Sequence, residues 1–225
     1  MAEGSPSKRV FPPLYQSSGN ASEDRLAFFH IIERLKTQKR TGWVDHNQRR
    51  PRKLAYSISD HMYRMAVLAM CASDTKLDIA KCVMMAVVHD LAEAQVGDIA
   101  PREGIPKAEK RRLEAEAMHN FVHEMLHNSP AAQRMEALWQ EYEDQSSDEA
   151  RFVKDLDRFE MATQALEYER APKAPDLQPF FDSSVPNIRH PEVKGWGEDL
   201  LRERELTVTH AVRGERGVEG QVATG

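Results

Sequence analysis

The sequence predicts an all-α protein, a single-domain bundle of helices. Apolar residues recur at intervals of three and four along most of the chain, the spacing that gives a helix one buried face. No convincing segment alternates apolar and polar residues, as a half-buried β-strand would. A chain of 225 residues suits one domain of ordinary size with tails. We therefore expect helices packed around one core.

Helix signals follow one another through the middle of the chain. A first helix begins near Asp24, and the residues Ser57–Asp60 resemble a capping box that opens the next helix. Asp78 caps a third helix, which ends near Gly97, and Pro106 begins a charged amphipathic one. A short helix at about residues 135–142 and a longer one at about residues 148–169 complete the predicted bundle.

The two ends of the chain have a different composition. Residues 1–22 are rich in Pro, Ser and Gly, which is typical of a flexible tail. A helical domain at residues 23–171 is followed by a Pro-rich extension at residues 172–208. Its terminal helix, at about residues 198–205, is expected to pack on the domain through Trp196 and Leu200. Residues 209–225 have no periodicity and are predicted to be disordered.

Composition excludes several classes of protein. The formal net charge of −5 argues against binding to polymeric nucleic acid, which requires a basic face. A small anionic substrate stays compatible, because a cation or a few basic side chains can reverse the sign locally. Only Cys71 and Cys82 occur, without a Cys-x-x-Cys pair, so a disulfide framework or thiolate zinc site is not expected. No apolar run approaches the roughly 20 residues of a membrane span. We expect an intracellular protein, cytoplasmic, nuclear or both.

Polar side chains interrupt apolar helix faces at His61, His89, Asp90 and Asp157. His61 shares its face with the apolar residues four and seven positions later, and His89-Asp90 directly follows a strongly apolar helix. Glu93 lies one turn after His89, on the same side of the helix as Asp90. Ionised carboxylates are costly to bury without partners, and a divalent cation is the simplest way to bring several together.

Each of these residues also has an ordinary structural interpretation. An inward His is often a hydrogen-bonded core residue, and Asp157 could pair with Arg151 or Arg158. The whole set could form a structural ion-pair network. Because the four lie in separate apolar contexts on three predicted helices, we favour a metal centre. Two imidazoles with two carboxylates suit a divalent cation such as Mn, Co, Mg, Fe, Ni or Zn rather than Ca.

The same positions resemble the HD superfamily of phosphohydrolases, whose pattern is a His, a His-Asp doublet and a distant Asp on separate helices. The closer resemblance is to the eukaryotic HD-domain-containing protein 2 family, which is similar to the bacterial 5′-deoxynucleotidases. It covers about residues 25–205 and implies an HD-type helical bundle with the metal site in its interior. The segments that carry it are Arg40–Val44, Ser59–Ala66, Val88–Glu93, Val96–Pro101 and Phe152–Asp157.

The resemblance implies a role for each matching residue. It implies that the first cation is bound by His61, His89, Asp90 and Asp157. It also implies that Glu93 and Asp98 are catalytic acids. A second cation would lie near these two acids and the backbone carbonyl of Ile99.

Substrate contacts are implied for the segment before the first His. Trp43 would lie against the nucleotide, although a loop Trp can equally be a packing residue. The bacterial enzymes carry an Arg immediately before this Trp, where the present chain has Gly42. Arg40 or Arg50 is therefore expected to neutralise the substrate phosphate.

The function that follows is a 5′-deoxynucleotidase, a phosphoric monoester hydrolase acting on deoxyribonucleoside 5′-monophosphates. The resemblance also implies a homodimer. Two alternatives stay open: another HD-type nucleotide phosphohydrolase or phosphodiesterase, and a non-catalytic, metal-stabilised binding module. Ala94 stands where the stringent-response hydrolases typically have a second acid, which argues against hydrolysis of stringent-response nucleotides. Glu93 and Asp98 would be unnecessary in a purely structural metal site, which argues against the module.

Overall fold

The computed structural model describes residues 9–42, 56–100, 103–171 and 176–219, with side chains described as far as residue 206. Over these ranges the chain is helical and contains no β-strand, only an isolated bridge between Lys39 and Ser57, so the all-α prediction is confirmed. The α-helices are α1 (Ala21–Ile31), α2 (Arg34–Thr37), α3 (Ile58–Met70), α4 (Ile79–Val88), α5 (Glu93–Val96), α6 (Lys107–Asn120), α7 (Pro130–Asp144), α8 (Asp148–Glu169), α9 (Gln178–Ser184) and α10 (Pro191–Glu219). A short π-helical segment (Phe121–Met125) follows α6, and a short 3-10 helix (Val185–Asn187) follows α9.

Several helix starts lie where the sequence predicts them. The Ser57 amide donates to Asp60 at 2.8 Å and the Asp60 amide donates to the Ser57 hydroxyl at 3.2 Å, which confirms the capping box of α3. Asp78 caps α4 by accepting the amide of Lys81 at 3.0 Å. Pro106 stands at the N-cap of α6. Local side-chain chemistry is sufficient to begin these helices.

Other helix bounds differ from the prediction. Helix α1 begins three residues before Asp24, because the Asn20 side chain accepts the amides of Ser22 and Glu23. Helix α7 begins at Pro130 and α10 at Pro191, both earlier than expected, since proline fits the first helical turn, where no amide donor is needed. Helix α10 also continues to Glu219, well into the stretch predicted to be disordered.

The chain divides into two compact units. Unit 1 comprises Met1–Tyr63 and Val87–Glu143, and unit 2 comprises Arg64–Ala86 and Asp144–Gly225. In unit 1, α1 and α6 both pack against the π-helical segment, and the rings of Phe28 and Phe121 meet edge to face at 5.6 Å. Both aromatic side chains are almost completely buried from solvent and belong to the apolar core of this unit.

Residues 9–20, called the N-terminal strap below, lie along unit 1 although their composition is typical of a flexible tail. The Tyr15 backbone exchanges two hydrogen bonds with the Asn120 side chain, at 3.2 and 2.8 Å. The Gln95 side chain donates to the carbonyls of Pro12 and Pro13 at 2.8 and 3.1 Å. The backbone of the strap is therefore held by side-chain amides rather than by a neighbouring strand. Because these contacts are polar, the pattern of apolar residues in the sequence does not indicate them.

In unit 2, the long helix α8 packs against α9 and α10. The ring of Trp196 on α10 lies 5.8 Å from the ring of Phe159 on α8, and Leu200 of α10 is buried. Arg64 donates to Glu160 and Glu167 of α8 at 2.7 Å each, which adds a charged contact on the same helix. Nowhere in the described ranges is a helix both long and apolar enough to cross a membrane.

Candidate metal centre

His61 and His89 form the centre of the candidate site, and both belong to unit 1. His61 lies in the first turn of α3, directly after the capping box, and His89 directly follows the last residue of α4. Their exposed fractions are 2% and 3%, and their ring centroids are 5.4 Å apart. A ring nitrogen of each lies within 4.8 Å of the other. The helix cap and the apolar helix before His89 together place two imidazoles in the interior.

Asp90 joins the two imidazoles through a single carboxylate oxygen. Its Oδ2 lies 3.2 Å from Nε2 of His89 and 3.9 Å from Nε2 of His61. Burial by itself would raise the pKa of Asp90, but the positive charge of His89, His61 and Arg40 outweighs burial and holds this pKa well below its usual range. Asp90 is therefore an ionised carboxylate facing two imidazole nitrogens.

Glu93 begins α5, one turn beyond Asp90, and behaves in the opposite way. It is buried, and burial together with the negative charges of Asp90 and Asp98 raises the pKa of its carboxyl well above the usual value. The charges of Lys110 and Arg40 act against this rise. A buried carboxyl group with a raised pKa suits general acid–base chemistry.

Asp98 lies just beyond the glycine that ends α5. Its carboxylate accepts the backbone N–H of Thr41, and its backbone carbonyl accepts the Thr41 hydroxyl at 2.9 Å and Arg9 at 2.8 Å. Gly97 has φ 75° and ψ 166°, a region that only glycine adopts readily. Ile99, the next residue, is buried. Three hydrogen bonds and one backbone conformation therefore fix the segment that carries Asp98.

Two charged residues that sequence analysis did not single out, Lys110 and Glu114, also influence the charge around Glu93. The ammonium of Lys110, on α6, lies 3.9 Å from Glu93 and 3.4 Å from Glu114. Burial raises the pKa of Glu114 to about 7, although Lys110 opposes the rise. The spacing of Lys110 and Glu114 (i, i+4) predicts an ordinary surface pair, so nothing in the sequence indicated that Lys110 also faces Glu93.

The remaining predicted residues fall into three groups. Arg40 is close enough to influence the pKa of both Asp90 and Glu93. Trp43 and Arg50 lie outside the described residues. Asp157 belongs to α8 of unit 2, where Lys154 donates to it at 2.8 Å. The alternative partners considered for Asp157 pair elsewhere: Arg151 with Asp148, and Arg158 with Asp155.

The donor set around Asp90 fits a divalent cation. Imidazoles that give up their ring proton to a metal, together with an ionised carboxylate, are ligands that first-row transition metals accept. The three donor atoms lie within a few ångströms of one another, on side chains whose orientations helix packing already fixes. The ring of His89 is also held edge to face against Tyr142 at 5.0 Å. Little rearrangement is required for these groups to share an ion.

Comparison with known proteins identifies the family. Residues 32–194 match the HD domain family. The chain is 45% identical over 195 residues to 5′-deoxynucleotidase HDDC2 of Homo sapiens, covering 86% of this chain and 93% of that protein. It is 44% identical over 182 residues to 5′-deoxynucleotidase hdd1 of Schizosaccharomyces pombe, covering 80% and 90%. The solved structure of HD domain-containing protein YGK1 matches with a TM-score of 0.66 at 32% identity, covering 85% of this chain and 91% of that chain. The chain therefore belongs to the HD domain family, together with these 5′-deoxynucleotidase relatives.

Proposed function

We propose that this protein is a metal-dependent 5′-deoxynucleotidase. It would hydrolyse deoxyribonucleoside 5′-monophosphates to deoxyribonucleosides and phosphate. The observation that carries the proposal is the convergence of His61, His89 and Asp90 one helical turn from Glu93, a buried carboxyl with a raised pKa. The names of the relatives in human and fission yeast support the substrate class.

The proposed ligands of the first cation are His61, His89, Asp90 and Asp157. The family pattern supports Asp157, which α8 supplies from a distant part of the sequence. Glu93, Asp98 and the carbonyl of Ile99 are proposed to lie near a second cation. Mn, Co, Mg, Fe, Ni and Zn are the candidate ions. A cation of this kind supplies polarisation of a phosphoryl oxygen and lowers the pKa of a water molecule.

The protein's own groups would carry the proton and position the phosphate. Water attacks phosphorus in line, the P–O5′ bond breaks, and Glu93 as a carboxylate accepts the proton that the water loses. That proton then passes to the departing O5′, so that the products are the nucleoside hydroxyl and phosphate. A raised pKa makes Glu93 a stronger base than an exposed carboxylate. Lys110 and Arg40 are placed to offset phosphate charge, because both already act on the carboxylates of the site. Trp43 and Arg50 remain proposed substrate contacts.

A substrate panel on the purified, metal-supplemented chain tests the activity. We expect phosphate release from deoxyribonucleoside 5′-monophosphates, with little pyrophosphate, triphosphate or monoester formed from dNTPs, stringent-response nucleotides or cyclic nucleotides. Product identification separates the proposed activity from the other HD-type hydrolases. No phosphate from any deoxyribonucleoside monophosphate, with each candidate metal supplied, would overturn the proposal.

The substitution Glu93→Gln separates catalysis from a structural metal site. It should lower kcat by roughly 10²- to 10⁴-fold, the usual contribution of a positioned general base, while leaving the fold and the first cation in place. Glu116→Gln, an exposed change on α6, is the matched control and should retain full activity. Steady-state kinetics with elemental analysis of the same samples gives both readouts. A Glu93→Gln protein as active as the parent would exclude Glu93 as the general base, whereas a parent chain that binds metal but shows no turnover would favour the binding-module alternative.

Two further proposals concern assembly, which the family resemblance supports, and location, which the free cysteines support. We propose that the chain forms a homodimer, which light scattering of the purified protein measures directly. We also propose that it resides in the cytoplasm, the nucleus or both, which imaging of a tagged chain determines.

A further inference from the structure

A second group of metal-ligating side chains lies in unit 1, away from the candidate metal centre. His119 is in the last turn of α6, His123 is in the π-helical segment, and Glu136 is on α7. One ligand atom of each lies within 4.8 Å of the other two. The rings of His119 and His123 are 4.1 Å apart between centroids, with 37° between their planes. The three groups therefore already face a common point.

The backbone that holds the two histidines is rigid. Side chains four residues apart project from the same side of a helix. Between them the helix changes to π-helical winding, in which the amide of Leu126 donates to the carbonyl of Phe121 at 3.0 Å. Local π-helical turns occur often at functional sites. Phe121 and Met125, on the opposite side, are almost fully buried, so the segment is anchored in the core.

The three donor groups are available to an ion. Over the ranges that the structure describes, none of them takes part in a hydrogen bond or an ion pair. His127, by contrast, is occupied by Asp24 at 2.8 Å. His119 is exposed, and the other two ligands are half-buried, so a solvated ion can reach them.

Distance and donor chemistry both favour a cation at this place. Two donors on one tetrahedral Zn²⁺, at about 2.0–2.2 Å each, lie about 3.3–3.6 Å apart, so side-chain rotations that shorten separations of at most 4.8 Å are needed. His119 and Glu136 line a groove of about 990 Å³ that also contains the carboxylates of Glu116 and Glu124 and the guanidinium of Arg112, which pairs with Glu116. Two imidazoles and one carboxylate are a ligand set that suits zinc.

We propose that His119, His123 and Glu136 bind one divalent cation of the zinc type. A fourth coordination position is left for water. The ion joins the end of α6 to α7 and is independent of the proposed hydrolytic centre, with which it shares no ligand. Zinc binding at this site can therefore be tested without measuring phosphatase activity.

Equilibrium dialysis of the full chain against Zn²⁺, followed by elemental analysis, tests this site. The wild-type chain should bind one equivalent more than the His119→Ala/His123→Ala double variant. Glu136→Gln should weaken that extra equivalent about ten-fold or more, as loss of one ligand does. His30→Ala, which removes an exposed histidine from α1, is the matched control and should bind as much as wild type. Far-UV circular dichroism of each variant checks the fold.

Equal zinc content in the double variant and the wild type would overturn the proposal, as would the same loss in His30→Ala. If the double variant fails to fold, nuclear magnetic resonance of the histidine rings in the wild-type chain decides. Zinc should then perturb two ring systems in addition to those of His61 and His89. Perturbation of His61 and His89 alone would count against the site.

Discussion

Asp90 and Glu93 lie one helical turn apart, and their surroundings drive their pKa values in opposite directions. Histidine charge keeps Asp90 ionised, whereas burial and the charges of Asp90 and Asp98 raise the pKa of Glu93. Two acids separated in this way can divide the work of a hydrolase, one as a permanent ligand and the other as a proton acceptor. The assignment depends on environment, since residue type alone would make them equivalent.

At the same scale, Lys110 is expected to contribute to substrate binding. Its ammonium lies between Glu93 and Glu114, and those carboxylates raise its pKa against the effect of burial, so it stays charged. Lys110→Met should raise KM for a deoxyribonucleoside monophosphate about ten-fold, a loss of roughly 1.4 kcal/mol of binding. Steady-state kinetics measures this.

Lys107→Met is the control for this prediction, because Lys107 is exposed on the same helix. It should leave KM unchanged. Equal effects of the two substitutions would mean that net charge, rather than the position of Lys110, determines substrate affinity.

At the scale of elements, the junction after α5 depends on Gly97. Its backbone conformation costs other residues about 1–3 kcal/mol, and a Cβ there would collide with the ends of Arg9 and Gln38. Gly97→Ala should lower the free energy of unfolding by at least about 1 kcal/mol and lower activity, because Asp98 follows directly. Urea denaturation and phosphate release are the two measurements.

Gly195 is the comparison, because its replacement by alanine is expected to stabilise the protein. Gly195 lies within α10, and a Cβ there would meet nothing within 4 Å. Gly195→Ala should therefore raise the free energy of unfolding by about 0.5–1 kcal/mol, because alanine restricts the unfolded chain. A stabilised Gly97→Ala protein would show that the junction tolerates a side chain.

The N-terminal strap depends on one fully buried carboxylate, Asp24. It accepts the hydroxyls of Tyr15 and Ser17 at 2.6 Å each, the amide of Ser18 at 2.9 Å, and faces His127 at 2.8 Å. Burial raises the pKa of Asp24, but these hydrogen bonds outweigh burial and hold it far below its ordinary 3.8. A carboxyl whose pKa is lowered by folding stabilises the fold above its ordinary pKa, and that contribution is lost as the pH falls below it.

Asp24→Asn should therefore lower the thermal midpoint at pH 7 by at least about 5 °C. The difference from wild type should shrink as the pH falls below about 4. Scanning calorimetry across this pH range provides the measurement. Glu23→Gln, one residue earlier and exposed, should change the midpoint little at any pH. A pH-independent effect of Asp24→Asn would contradict the ionised network.

Sequence predicts elements best where the signal is local. The capping box at Ser57 and the cap at Asp78 depend on neighbouring residues and lie where expected. The contact of the strap with Asn120 depends on a partner about a hundred positions away, so composition alone suggested a flexible tail. The approach of Lys110 to Glu93 depends on how α6 packs beside α5, which local periodicity does not show. The π-helical winding at Phe121 has no distinct sequence signal. Family motifs supplied the roles of the site residues, which periodicity could not.

At the scale of the whole molecule, the proposed ligand set comes from distant parts of the sequence. His61, His89 and Asp90 come from the α3–α5 region, whereas Asp157 lies on α8, far along the chain. An ion that needs all four ligands binds the folded chain and not the unfolded one. Metal binding should therefore be linked to the stability of the entire protein.

Removal of metal tests this linkage. At a free metal concentration of about 100 times Kd, the ion should add about 2.7 kcal/mol, which raises the thermal midpoint by roughly 5–10 °C over the chelator-treated chain. Asp157→Asn should abolish most of this rise, because one of four ligands is lost. Asp148→Asn, an exposed change on the same helix, should preserve it. Calorimetry with and without metal on the three proteins measures the effect, and an undiminished rise in Asp157→Asn would exclude Asp157 from the ligand set.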